Sequence, residues 1–167
     1  RVKSSDDSFK KTWLLHTKDI PVVDGNRSVA TVTDDGYNGR IVLDTLLPEK
    51  DNTDINVVEG GEGDAWVNGT NYFAAVVEGG LNEGGGSRIE ISPHKSANED
   101  LFLNVMQVSD ADSSVILPAK KIETDTHAGV IISDRVVLFA KQRNRIMSDI
   151  SFEIDVDGKY QITVADC

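Results

Sequence analysis

The chain has 167 residues and a formal net charge of −11. That length can bury a core of its own in one domain, and the single cysteine, Cys167, excludes an internal disulfide. The acidic balance argues against nucleic acid and against anionic membranes as partners, because long-range repulsion opposes the approach of a polyanion. We expect a soluble piece, since no apolar run approaches the roughly 20 residues that span a bilayer. The first residues also lack the apolar core of a signal peptide, so any export signal would lie upstream.

The excess of acidic residues is concentrated in the middle of the chain. Residues 1–50 carry eight basic and eight acidic groups, residues 51–117 carry two and twelve, and residues 118–167 carry seven and eight. This distribution favours a role of the acidic residues in solubility over a role in calcium binding.

The first third of the chain alternates apolar and polar residues between turn residues, which predicts β-strands. Asp24-Gly25-Asn26 and Asp34-Asp35-Gly36 supply the positive φ angles that tight turns require. The predicted strands cover residues 8–17, 27–33, 39–47 and 55–59.

A glycine-rich middle follows, and residues 60–93 hold nine of the fourteen glycines. Asn68-Gly69 is a type I′ turn signal. Trp66 and Tyr72 flank it, so we predict a small hairpin tip that carries two aromatic rings. Residues 79–87 contain five glycines and no β-branched residue, which predicts a mobile loop because ordering such a segment costs much backbone entropy.

The alternating pattern then returns, and no stretch shows a helical apolar stripe over three turns. Asp157-Gly158 predicts a second two-residue hairpin, and Ser133-Asp134 is a candidate for another. We therefore predict an all-β fold, an antiparallel β-sandwich of about a dozen short strands in a single domain over residues 1–167, and favour it over a barrel. The predicted strands of this part cover residues 88–92, 100–108, 120–125, 130–132, 135–141, 150–156 and 159–164.

Residues that hold metals or perform catalysis are sparse. His16, His94 and His127 lack metal-ligand spacing, and the glycines of residues 60–63 are followed by neither a helix nor a lysine. Aspartate clusters at residues 34–36, 110–112 and 155–158 offer oxygen ligands, but turn formation explains them more simply than calcium does. We therefore predict no cofactor, with calcium as the less favoured alternative.

Two groups of residues are candidate ligand contacts. The rings of Trp66 and Tyr72 can stack on the apolar faces of sugars, while Asn68, Asn71 and Arg88 offer hydrogen bonds. The alternative for the two rings is packing within the hairpin or the core. The basic run over residues 141–145 can point Lys141, Arg143 and Arg145 toward sulfate or carboxylate groups, and its alternative is ordinary solvated loop charge.

Three segments together resemble the C-terminal β-sheet region of heparinase II/III-like polysaccharide lyases. They are FKKTWLLHT at residues 9–17, GRI to TLLP at residues 39–48, and the stretch from GG through WVNG to RIEISP at residues 60–93. Order and spacing agree over roughly residues 1–110, and more loosely over the remainder. The matching motifs are structural, so the resemblance assigns no catalytic residue to this chain.

The resemblance implies a β-sandwich from a secreted or periplasmic bacterial lyase that cleaves a uronic-acid-containing polysaccharide by β-elimination. Such lyases carry an α-helical toroid before the sheet region, and their acid and base residues come mainly from that toroid and from the start of the sheet region. The expected partners are thus an anionic polysaccharide (a glycosaminoglycan, alginate or ulvan) and the catalytic domain of the parent chain. Three hypotheses stay open: a non-catalytic carbohydrate-binding module, a purely structural support for the toroid, and a self-sufficient enzyme with an unseen catalytic pair. We favour the first.

Overall fold

The computed structural model describes residues 1–33, 36–59, 66–67, 70–72, 86–142, 148–154 and 160–166. These residues form sixteen strands and one short 3₁₀ turn at Lys50–Asn52, and every strand pair is antiparallel. The predicted all-β antiparallel class is therefore confirmed. Contacts divide the chain into two compact units, Arg1–Ile116 and Leu117–Cys167. The grouping of all 167 residues in one domain stays a prediction.

The first unit contains two larger sheets and two short strand pairs. One sheet has the order β11-β5-β4-β3 and the other β2-β9-β6, while β1 pairs with β10 and β7 with β8. The strands are β1 Val2–Lys3, β2 Trp13–Thr17, β3 Val22–Asp24, β4 Arg27–Val32, β5 Gly39–Leu47, β6 Thr53–Val58, β7 Trp66–Val67, β8 Thr70–Asn71, β9 Ser87–Pro93, β10 Glu99–Asp100 and β11 Leu103–Ser109.

The core of this unit lies between its two larger sheets. Leu43 of β5 is 1% exposed and clusters with Ile89 and Ile91 of β9. Partly buried side chains from β2 and β6 pack around this cluster: Trp13, Leu15 and Ile55. Since strand side chains alternate between faces, the residues of β5 that share the face of Leu43 meet the other sheet. The first unit is thus a β-sandwich, as predicted.

Strand boundaries agree with the sequence pattern where turn residues define them. β5 has the predicted bounds, and the β3–β4 hairpin turns at Gly25, whose φ is 57°. Trp66 pairs with Asn71 and Val67 with Thr70, as expected for strands on either side of the predicted turn. Asn68 and Gly69 themselves lie outside the described residues, as do Asp34 and Asp35 and residues 79–85 of the predicted mobile loop.

Two strands predicted for the first unit extend over more residues than the strands observed there. The strand predicted over residues 8–17 begins only at Trp13, because the Asp6 side chain accepts hydrogen bonds from the Ser8 amide and hydroxyl and forms a local turn. The strand predicted over residues 100–108 is divided between β10, which pairs with β1, and β11, which pairs with β5. The pattern of apolar residues alone does not show which neighbour a strand pairs with.

The second unit contains a three-stranded sheet in the order β12-β13-β14 and the pair β15-β16. The hairpin between β13 and β14 turns at Ser133, whose φ is 54°, as its sequence predicted. The turn predicted at Asp157-Gly158 lies outside the described residues, although the strands on either side of it pair. The strands are β12 Ala119–Glu123, β13 His127–Ile132, β14 Arg135–Ala140, β15 Ser148–Ile154 and β16 Tyr160–Asp166.

The central strand β13 is buried over five consecutive residues, from His127 to Ile131. Its Gly129 fills a position where β14 approaches closely, since a Cβ there would collide with the Val137 carbonyl oxygen and approach the Leu138 side chain. Glycine is therefore required at this position because there is no room for a side chain. Its backbone φ angle does not require glycine.

Candidate functional site

The predicted aromatic hairpin tip is only partly described. Trp66 and Asn71 face each other in the β7–β8 ladder, and Tyr72 follows directly with its side chain 51% exposed. Tyr72 is thus accessible to a ligand, while Asn68 lies outside the described residues. A role for this tip in binding sugar stays a prediction.

Arg88 lies inside the first unit. It is 8% exposed on β9, and its Nε and Nη2 lie 3.0 Å and 2.8 Å from Oε1 of Glu90. Strands β2 and β6 flank it, with His16 and Val58 as the paired residues. The guanidinium is therefore occupied by a carboxylate of its own strand, and contact between Arg88 and a sugar stays a prediction.

Lys141, the first residue of the basic run, belongs to a compact charge cluster in the second unit. Its Nζ lies 2.7 Å from Oε1 of Glu123, and Nζ of Lys121 lies 2.7 Å from Oε2 of the same carboxylate. The hydrogen bonds from Lys121 and Lys141 hold the pKa of Glu123 below its ordinary value of 4.5. We call these three residues the Lys-Glu-Lys cluster. Two ammonium groups thus share one carboxylate. Arg143 and Arg145 lie outside the described residues.

An exposed aromatic side chain that sequence reasoning missed lies on the neighbouring strand. Phe139 of β14 is 58% exposed and Val137, two residues earlier, is 43% exposed. The strand alternates in burial, so these two side chains share one face. The sequence held a signal in the alternating RVVLFA segment, but the signal does not tell which of the two faces is covered.

A groove of about 700 Å³ opens at one end of the sandwich in the first unit. Its apolar lining includes Leu15 of β2, Ala30 and Val32 of β4, Ile41 of β5 and the exposed Val108 of β11. Strand alternation puts these apolar side chains on the faces between the sheets. The groove can therefore receive an apolar group, and its lining also includes the polar residues His16, Thr17, Lys18, Tyr37, Asn38 and Arg40.

The polar residue Arg40 at the rim of this groove is held by neutral oxygens. Its Nη2 donates to Ser109 Oγ at 3.2 Å and to the Ser113 carbonyl oxygen at 2.6 Å. These bonds tie the end of β5 to the segment after β11. Arg40 thus has a structural role in the first unit.

The histidines occupy separate places. His94 Nδ1 lies 3.1 Å from Oδ1 of the exposed Asp54, whereas His127 is buried with Nδ1 2.8 Å from Thr126 Oγ1. Over the described ranges, no three His, Cys, Asp or Glu side chains converge in a way that could hold a metal ion. Calcium binding at the aspartate clusters stays untested, because residues 34–35 and 155–158 lie outside those ranges.

Among the residues that the structure describes, no helix is long and apolar enough to cross a bilayer.

Part of the second unit matches a known protein family. The family model of the heparinase II C-terminal domain matches residues 121–167. The comparison with curated proteins gave no match. The matched segment begins inside β12 and runs through β16, so it lies wholly within the unit Leu117–Cys167. It also lies in the part of the chain where the resemblance in sequence motifs was loosest. The predicted resemblance to heparinase II/III-like polysaccharide lyases is therefore confirmed by this family model over residues 121–167, whereas the resemblance over residues 1–110 stays a prediction.

Proposed function

We propose that this chain is a non-catalytic accessory part of a secreted or periplasmic polysaccharide lyase and that it binds a uronic-acid-containing polysaccharide. The observation that carries the proposal is the match of residues 121–167 to the heparinase II C-terminal domain. A C-terminal domain of a lyase that acts on an acidic polymer is well placed to hold that polymer near the catalytic domain, because tethering raises its effective concentration. The β-elimination itself is assigned to the catalytic domain of the parent chain.

The chemistry of the candidate contacts supports this role. Tyr72 presents an exposed ring, and the Lys-Glu-Lys cluster presents two ammonium groups in an acidic chain. Aromatic rings stack on sugars, and ammonium groups pair with carboxylates or sulfates. The complete proposed contact set is Trp66, Asn68, Asn71, Tyr72, Arg88, Lys141, Arg143 and Arg145.

Affinity electrophoresis tests the proposal directly. The purified chain would migrate through gels that contain chondroitin sulfate, hyaluronan, heparin, alginate or ulvan, and we expect at least one polymer to retard it. Retardation should weaken as salt rises, because ion pairs with the polymer release counterions. If none of the five polymers retards the chain, the binding function is wrong.

A charge-matched pair of variants locates the contact. We expect Lys141→Ala combined with Arg143→Ala to reduce retardation severalfold. The control, Lys95→Ala combined with Lys120→Ala, removes the same charge at exposed positions outside the proposed contact set. Equal losses in both double variants would show that only net charge matters.

A structural support for the parent's catalytic toroid is the second candidate. The observation in its favour is that Arg88 and Lys141 are engaged by Glu90 and Glu123 within the chain. This function predicts that deleting the segment from the parent lyase lowers its melting temperature, while the isolated chain binds none of the polymers.

Catalysis by the chain itself is checked separately. Absorbance from unsaturated uronate should stay flat when the purified chain is mixed with each polymer. A rise that persists after repurification would overturn the non-catalytic part of the proposal.

A further inference from the structure

Strand register brings two kinds of side chain onto one face of the β12-β13-β14 sheet. Glu123 pairs with Ala128, and Ala128 pairs with Phe139; in the adjacent row, Lys121 pairs with Val130, and Val130 pairs with Val137. Directly paired residues of antiparallel strands point to the same face. One face therefore carries Lys121 and Glu123 along β12 and the apolar pair along β14. We call this surface, together with Lys141, the Phe139 face.

The exposed fraction of the side chains differs between the edge strand β14 and the central strand β13 on this face. Phe139 and Val137 are 58% and 43% exposed, whereas Ala128 and Val130 between the two outer strands are each 6% exposed. A large ring thus stands at one edge, beside small and covered residues, with charged groups at the other edge. The two edges lie about 10 Å apart, two strand spacings. Apolar side chains that are exposed next to each other and rimmed by polar residues are a feature of ligand-binding surfaces when they form one contiguous patch.

The charge of the surroundings favours an anionic ligand here over one on the first unit. Residues 1–116 carry ten basic and twenty acidic groups, whereas residues 117–167 carry seven and eight. A polyanion approaching the second unit meets a nearly balanced charge, and the Lys-Glu-Lys cluster places two ammonium groups side by side.

We propose that the Phe139 face binds a uronic-acid unit of an acidic polysaccharide. The Phe139 ring stacks on the apolar face of a sugar, and the ammonium groups of Lys121 and Lys141 pair with its carboxylate or with that of a neighbouring unit. Glu123 pairs with both ammonium groups and so competes with the ligand carboxylate for them. This inference rests on the proposed function, and it adds Phe139 and Lys121 to the contacts.

Two phenylalanines of similar exposure test whether the Phe139 ring contributes to binding. Phe139→Ala should weaken binding to alginate and chondroitin sulfate about tenfold, which corresponds to the upper range for an aromatic contact. Phe9→Ala, which removes a ring 55% exposed in the first unit, should leave binding unchanged. Phe139→Leu keeps the apolar bulk, so it should fold normally and still lose most of the binding. Wild-type affinity in Phe139→Leu, with the fold intact, would overturn the inference.

The lysines are tested on two faces of one strand. Lys121 and Lys120 are neighbours on β12 and point to opposite faces. We expect Lys121→Ala to weaken binding severalfold and Lys120→Ala to have little effect. Glu123→Gln supplies a readout that a purely structural role would not give, because it removes a negative charge from the face and should tighten binding even though it removes two ion pairs. Weaker binding by Glu123→Gln would count against the assignment.

The two proposals fail in distinguishable ways. If a polymer retards the wild type and the Phe139 and Lys121 variants behave like their controls, the polysaccharide binds elsewhere; the proposed function then stands and this inference is wrong. If no polymer retards the wild type, both are wrong.

Discussion

The two units use their apolar side chains differently. In the first unit, Leu43 and Ile91 are 1% and 0% exposed between two facing sheets. In the second, the central strand β13 is buried, yet its neighbour β14 leaves Val137 and Phe139 largely in solvent. The first unit also carries nearly all of the excess negative charge. The first unit thus has a core shared by two sheets, whereas the second unit has a nearly balanced charge beside the exposed Val137 and Phe139.

The largest expected effect tests the stability of the first unit. Lys11 is 7% exposed; its Nζ donates to the Ala97 carbonyl oxygen and lies 2.9 Å from Oδ2 of Asp100. Lys11→Met leaves that carboxylate buried without its cation, so unfolding in urea should show a loss of about 3–5 kcal/mol. Lys10→Met at the adjacent exposed position is the control and should cost less than about 0.5 kcal/mol. A loss below about 1 kcal/mol for Lys11→Met would contradict the importance of this buried pair.

A glycine from each unit gives the next effect. Gly129→Ala places a Cβ against the Val137 carbonyl oxygen, so it should destabilise by at least about 1–3 kcal/mol. A Cβ at Gly39 of β5 meets no atom within 4 Å, so Gly39→Ala should be neutral or slightly stabilising. Urea unfolding followed by circular dichroism measures both. Equal changes would mean that the close approach of β14 does not constrain β13.

The smallest effect is a dependence on pH in the second unit. Because the folded-state pKa of Glu123 is lowered, its contribution to stability is present above the ordinary value of 4.5 and is lost as the pH falls through the folded-state pKa. Glu123→Gln should therefore be less stable than wild type at pH 7, by up to about 1 kcal/mol, and match it well below the folded-state pKa. A gap of the same size at both pH values would show that the cost has another cause.

Much of the fold could be predicted from local patterns in the sequence. Alternation and turn residues predicted β5 with its observed bounds, the Gly25 hairpin and the Ser133 hairpin. These features depend on neighbours in the chain and on the few residues that adopt positive φ. The same reasoning drew too long a strand before Trp13, because the turn at Asp6 depends on one side-chain hydrogen bond pair.

The candidate site was harder to predict from the sequence, because its residues come together only when distant strands pair. Arg88 looks like a free cation in the sequence, but the fold buries it beside Glu90. Lys141 stood out in the sequence as the start of a basic run, whereas its link to Glu123 depends on the fold of β12 and β14.

The sequence by itself determined the all-β class, the tight turns at Gly25 and Ser133 and the acidic bias, since each follows from local periodicity or from composition. Only the tertiary structure decided which strands are neighbours and which face of each strand is covered. Phe139 and Lys121 are 18 positions apart and come to one face because β13 pairs with both of their strands. Strand register and side-chain burial are set by contacts between distant segments. The pattern of apolar and polar residues along one strand does not show what those contacts are.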